Sequence, residues 1–244
     1  MNPDIFIALC LLIVGFLYAS VGHGGASGYI AIFSIFGITV STYKPLVLVM
    51  NIIIAGIAFI QFYRAGYFKW KLCWPFLITS IPAAFIGSTI AVQSHVYNLL
   101  LGLALLFPVV RLFGLIQYHQ KEMKVIRMAP ALLVGGIIGL LSGMLNIGGG
   151  IFLSPVLILA GWATPKQSAA VSALFIVCNS AAGLIGGKPA NYIFNQSSFI
   201  WFAAAVTGGI IGAYMGSKKY PQKAVQYVLA SVLVIASAKL ILFT

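Results

Sequence analysis

The sequence predicts an all-α polytopic membrane protein with about ten transmembrane segments, built as two inverted five-segment repeats with short broken helices after glycine loops. Three observations lead there. Hydrophobic residues make up 61% of the 244 positions and charged residues 7%, with a mean hydropathy of +1.08, a balance that rules out a soluble surface. The apolar residues fall in long runs with few or no charges. About 20 such residues span about 30 Å of hydrocarbon as a helix, which pairs its own backbone groups in lipid. Lastly, two glycine clusters recur at an offset of 124 residues. The alternating pattern of a membrane β-barrel is absent.

Apolar runs between charge and turn signals give segments 5–21, 26–38, 46–63, 74–92, 96–116, 129–145, 149–162, 168–187, 197–217 and 223–242. The first, Ile5 to Val21, has only Asp4 before it instead of a basic leader region, so it reads as a retained span and not as a signal peptide. Segments 26–38 and 149–162 are short for a full crossing, and each follows a glycine cluster, as a half-helix entered from a break within the membrane would. Charge decides whether these two segments cross or turn back. If all ten change sides, one face collects Arg64, Lys69, Lys71, Arg111, Lys121, Lys124, Arg127, Lys166, Lys218, Lys219 and Lys223, and the other keeps Lys44, Lys188 and Lys239. That split favours ten effective crossings with both termini outside the cytoplasm. Trp70 and Trp74, beside Lys69 and Lys71, fit an interfacial belt on the cytoplasmic side.

Self-similarity organises the chain further. Gly22-His23-Gly24-Gly25 aligns with Asn146-Ile147-Gly148-Gly149 at offset 124, Gly37 then falls on Gly161, and Ile86-Gly87-Ser88 falls on Ile211-Gly212-Ala213 at offset 125. Residues 1–118 form the first repeat, 119–128 a basic cytoplasmic linker and 129–244 the second repeat. Five segments per repeat is an odd number, so the second copy enters the membrane upside down. Paired broken helices in inverted repeats are the architecture of many secondary transporters, with the substrate near the midplane.

The candidate binding residues are Gly22, His23, Gly24, Gly25 and Ser27 in the first loop, Asn146, Gly148, Gly149 and Gly150 in the second, and Asn51 and Asn179 within spans. Glycines let a backbone approach a ligand closely, and the helix that follows offers unpaired N–H groups and a partial positive charge. Two such ends together would attract an anion without a cationic side chain. Glycines also serve close helix packing, which is how Gly208, Gly209, Gly212 and Gly216 read. No Asp or Glu falls within these segments, which argues against a cation site or a carboxylate proton chain. His23 either donates to an oxyanion and couples transport to protons, or is a neutral imidazole satisfied by a carbonyl. Asn51, Asn179 and Ser172 need partners in lipid and can serve substrate or bridge helices. Asn146 adjoins the glycine loop and is the stronger binding candidate. Lys44 and Arg64 read as residues that snorkel to the interface.

Other classes fare less well. The formal charge of +12 arises from 14 Lys and Arg against two acids, but those residues lie in loops of a membrane chain, and no nucleic-acid motif accompanies them. No cofactor or metal is expected, since Cys10, Cys73 and Cys178 are scattered and no nucleotide-binding motif appears. Gly25-Ala26-Ser27-Gly28 matches the G-x-S-G pattern of intramembrane serine proteases, but no histidine on another span is placed to act as base. A passive anion channel and an oligomer both remain compatible with the sequence.

The two glycine motifs, Ser154-Pro155, and the stretch from Asn51 to the Phe62-Tyr63-Arg64-Ala65-Gly66 run resemble the TauE/SafE family of sulfite and organosulfonate exporters, in the wider class of 4-toluene sulfonate uptake permeases. The likeness covers essentially the whole chain. One departure is that Ala26 and Ala31 stand where the second copy has Gly150 and Pro155. The resemblance implies secondary transport of small sulfur-containing anions, such as sulfite or sulfoacetate, across the bacterial inner membrane, and it implies no enzymatic activity.

Overall fold

The computed structural model describes residues 3–38, 40–92, 96–97, 99–100, 102–103, 123–187, 195–218, 234 and 237. Among the described residues there are eight named helices and no strand. They are α1 (Pro3–Ser20), α2 (Ala26–Ile35), α3 (Val40–Arg64), α4 (Trp70–Thr89), α5 (Met128–Leu145), α6 (Gly150–Leu159), α7 (Pro165–Gly186) and α8 (Gln196–Lys218). Six are long and apolar enough to cross a membrane. The other two, α2 and α6, have ten residues each and so extend about 15 Å, half the hydrocarbon thickness. Segments 96–116 and 223–242 lie largely outside the described residues, as do residues 119–122 of the linker 119–128.

Several helices start earlier than expected. α3 takes in Lys44 and Pro45, α4 takes in Trp70 and Lys71, and α7 begins on Pro165 and Lys166. Charge and proline served as breaks in the sequence. Yet Pro165 takes the first position of α7, where no N–H is needed, and Pro45 lies a turn further into α3, where membrane helices accept proline because neighbouring groups satisfy the freed carbonyl. At α7 the start is closed by a capping box between Thr164 and Gln167.

Lipid tails are as apolar as leucine, so helices in a bilayer associate where small residues let backbones touch. On α8, Gly208, Gly212 and Gly216 lie against the carbonyls of Leu12, Phe16 and Ser20 on α1; a methyl group at any of them would collide with backbone. On α5, Gly135, Gly139 and Gly143 lie in the same way against Phe76, Ser80 and Ala84 on α4. Residue numbers rise together in both pairs, so each pair runs parallel. The two seams correspond. Gly15 packs on Ala205 as Gly139 packs on Ser80, and Phe16 on Gly212 as Leu140 on Gly87, with offsets of 124 and 125 residues. Each half thus sets its first helix against the fourth described helix of the other. Between the seams α3 and α7 run antiparallel, with Asn51 on Ser180 and Phe62 clustered with Ala169 and Ala170. Tyr18, Tyr29, Phe33, Phe76 and Phe175 fill the core, whereas Leu9, Ile13, Ile78, Phe85, Ile86 and Ile211 face outward as a lipid-exposed surface would.

The half-helices point in opposite directions. Phe36, just after α2, meets Phe6 near the start of α1 at 5.7 Å between ring centres, and Phe33 meets Trp201 near the start of α8 at 5.3 Å. α2 therefore returns to the end from which α1 sets out, where Ser197 donates to Asp4 at 2.8 Å. At the opposite end, the Lys124 N–H donates to the Gly161 carbonyl at 2.9 Å, so α6 returns to where α5 begins. That second end gathers Arg64, Lys69, Lys71, Lys124, Arg127, Lys166 and Lys218. Among the described residues, the Asp4 end holds one basic residue, Lys44.

Candidate functional site

Both glycine stretches begin by closing the preceding helix in the same way. The His23 N–H donates to Tyr18 O at 2.9 Å and the Gly22 N–H to Ala19 O at 3.1 Å, with Gly22 at φ 80°. This is the paired-bond helix stop that calls for a left-handed residue. In the second stretch the Ile147 N–H donates to Ser142 O at 3.3 Å, and Asn146 takes the left-handed position at φ 56°. Asn146 thus occupies the place of Gly22 at the 124-residue offset, asparagine being the usual alternative there. Gly25 and Gly149, both at positive φ, then open α2 and α6 without a side-chain cap of their own.

Asn51, at the middle of α3, joins the two stretches. Its Oδ1 accepts the first N–H of α2, from Ala26, at 3.1 Å, and its Nδ2 donates to Ser180 Oγ of α7 at 2.8 Å. Gly24 lies against Asn51, and a Cβ on Gly148 would come 2.5 Å from Asn51 Nδ2 and 2.6 Å from Ser180 Oγ. Gly148 is therefore closed to other residues twice over, by this approach and by its φ of 72°. His23 makes the second link. Its Nδ1 lies 3.1 Å from Val21 O, and its Nε2 lies 3.2 Å from Gly150 O and 3.3 Å from Ser154 Oγ. Ser154 gives its own hydroxyl proton to Ser172, so a neutral ring protonated at Nε2 can donate to Gly150 O or Ser154 Oγ, whereas a doubly protonated ring can donate to Val21 O as well. The amino ends of two oppositely directed half-helices thus meet around one asparagine and one histidine. Asp4, at the start of α1, is the one carboxylate among the described residues.

The remaining candidates have partners of other kinds. Ser27 Oγ pairs with the Tyr18 hydroxyl at 2.9 Å, and His23 approaches Ser154 instead. Asn179 Nδ2 donates to Ser80 Oγ on α4 at 3.1 Å and to Phe175 O at 2.8 Å, which makes it a bridge between helices; its buried Oδ1 has no partner. Asn146 Nδ2 turns back to Met144 O at 3.4 Å. The Lys44 ammonium sits over the Tyr97 ring at 4.7 Å, half-buried, and does not reach freely toward the interface.

Sequence reasoning gave four groups no part in the site. Ser180 anchors Asn51, and Ser154 bonds Ser172 at 2.8 Å and accepts from Ser168 through its carbonyl at 3.2 Å. The Tyr29 hydroxyl donates to Gly24 O at 2.9 Å. Ser142 Oγ, buried and without a partner, lies beside Gly149. A signal did exist for the serines, because Ser168, Ser172 and Ser180 share one face of α7 at multiples of four residues.

Known proteins resemble this chain over nearly its whole length. The model of the family described as sulfite exporter TauE/SafE matches residues 7–240. A probable membrane transporter protein, y4hK, of Sinorhizobium fredii (strain NBRC 101917 / NGR234) is 32% identical over 239 residues, covering 96% of this chain and 97% of that protein. A probable membrane transporter protein of Methanocaldococcus jannaschii, MJ0441, is 40% identical over 72 residues, covering 28% of this chain and 27% of that protein. No solved structure matches.

Proposed function

Because this chain belongs to the sulfite exporter TauE/SafE family of membrane transporters, we propose that it carries small sulfur-containing oxyanions, sulfite or an organosulfonate such as sulfoacetate, by alternating access. The observation that carries this reading is the meeting of Gly24, Asn51, Gly148, His23 and Gly150 where α2 and α6 begin. Helix amino ends offer N–H donors and partial positive charge to an oxyanion, and the absence of a carboxylate from the described cluster leaves that attraction uncancelled. The unpartnered hydroxyl of Ser142 supplies a further donor beside Gly149.

The matched seams and the opposed half-helices support a division into inverted repeats, 1–118 and 129–244, joined by the basic linker 119–128. One half would rock against the other and open the glycine cluster to each side in turn. The basic end would face the cytoplasm of a bacterial inner membrane, which places both termini on the other side. His23 is suited to proton coupling, since protonation of the second ring nitrogen adds a donor toward Val21 O.

Purified protein in proteoliposomes tests this reading. Counterflow of labelled sulfite driven by unlabelled sulfite on the far side is the expected result. Net leak without counterflow would indicate a pore, and no flux of sulfite, sulfoacetate, thiosulfate or sulfate would overturn the anion assignment. A thermal-shift screen with the same anions and short carboxylates would rank the substrates.

A further inference from the structure

Two lysines hold matching positions at opposite ends of the α3–α7 pair. Lys44 lies in the second turn of α3, seven residues before Asn51 and hence on nearly the same helix face. Its Nζ stands 4.7 Å from the centre of the Tyr97 ring, and the Tyr97 hydroxyl donates to Leu145 O at 2.9 Å, immediately before Asn146. Lys166 lies in the first turn of α7, with its Nζ 4.8 Å from the centre of the Tyr67 ring. It donates to the Tyr67 hydroxyl at 3.1 Å and reaches Ser217 O at 3.5 Å. Tyr67 packs on the cluster of Phe62, Ala169 and Ala170, and Ala169 abuts Gly22. Each lysine therefore stands close to one glycine stretch, Lys44 on the Asn146 side and Lys166 on the Gly22 side.

The described contacts of both ammonium groups are aromatic rings and neutral oxygens, none of them a carboxylate. The cation–π contact holds each ammonium by only about 0.5–2 kcal/mol, and the two further bonds of Lys166 go to neutral oxygens, so a passing anion can draw either lysine away. Cations at the mouth of a low-dielectric passage concentrate anions there.

We propose that Lys44 and Lys166 are paired anion-recruiting residues, one at each mouth of the route to the glycine cluster, each parked on a tyrosine and released onto an incoming oxyanion. The inference rests on the anion-site reading and adds a sidedness to it: each lysine serves substrate arriving from its own face.

The test is sulfite counterflow in proteoliposomes of defined orientation, with the apparent KM measured separately from each face. Lys44→Gln should raise KM about tenfold for sulfite presented at the Asp4 end and leave the other face unchanged, and Lys166→Gln should do the reverse. Maximal rates should stay within about twofold, and Lys44→Arg and Lys166→Arg should keep KM near wild type, since the arginine retains the charge. Unshifted KM values, or equal shifts at both faces, overturn the inference. A second measurement does not depend on transport. With Cys10, Cys73 and Cys178 replaced, Lys44→Cys and Lys166→Cys should each react with an anionic methanethiosulfonate, from opposite faces of the membrane. Labelling of both from one face, or of neither, also overturns it. Wild-type protein that exchanges no anion defeats the anion-site reading and this inference together, whereas wild-type exchange with unshifted lysine variants defeats this inference alone.

Discussion

Replacing Asn51 by aspartate separates the electrostatic claim from the packing of the cluster. The substituted side chain would keep the shape of the original. One carboxylate oxygen can accept the Ala26 N–H, now 3.1 Å from Asn51 Oδ1, and the other can accept the Ser180 hydroxyl, now 2.8 Å from Nδ2. Both bonds survive when the carboxyl is ionised. The change that remains is one negative charge beside the proposed oxyanion. At about 6 Å and an effective dielectric near 20, a pair of like charges costs about 3 kcal/mol, or about a hundredfold in affinity. Asn51→Ala has the opposite signature. It leaves the Ala26 N–H and Ser180 without a partner and should lower stability by about 1–3 kcal/mol, with a smaller effect on anion affinity in the protein that remains folded. The assay pairs thermal unfolding in detergent with sulfite counterflow in proteoliposomes. Asn51→Asp that melts near wild type and exchanges sulfite with KM within about threefold of wild type would refute an anion at this position.

Other expectations are simpler. Gly148→Ala should destabilise by about 2–4 kcal/mol, because it combines a left-handed φ with a Cβ pressed on Asn51 and Ser180, whereas Gly183→Ala, in open space within α7, should be neutral or stabilising in the same melt. With sulfoacetate, which unlike sulfite does not change charge near neutral pH, His23→Gln should abolish the pH dependence of exchange between about pH 5 and 8, since partners of the ring such as Val21 O, Gly150 O and Ser154 do not titrate there; unchanged pH dependence with that substrate would remove His23 from the coupling. A fluorophosphonate probe should leave Ser27 unlabelled, because its hydroxyl faces Tyr18 with no histidine beside it, and labelling at Ser27 would revive the protease alternative.

Much of the fold was legible because membrane helices announce themselves by hydropathy, and half-helices by glycine breaks and short length. Gly22 and Asn146 could be paired from the sequence since both end a helix at one offset, although nothing in the letters says that Asn146 works there as a left-handed stop. The positions of helix starts were harder. Pro165 with Lys166 looks like a break but opens α7, and Lys44 with Pro45 looks like one but lies inside α3, as proline can in a membrane helix. The cross-links of the site were out of reach. Asn51 caps a helix 25 residues away and His23 meets Gly150 and Ser154 more than 120 residues on, so only tertiary packing decides these pairings. Asn179 illustrates the converse: a buried polar residue in a span looks like a site, yet its donors go to Ser80 and Phe175.

The most direct test is an experimental density map of the protein in a lipid environment with selenite, a heavier analogue of sulfite, using the anomalous signal of selenium. A peak is expected where the amino ends of α2 and α6 converge, within hydrogen-bond reach of backbone N–H groups next to Gly25 and Gly149. A peak elsewhere in the bundle, or the two half-helices starting far apart with lipid between them, would contradict an anion site at that junction.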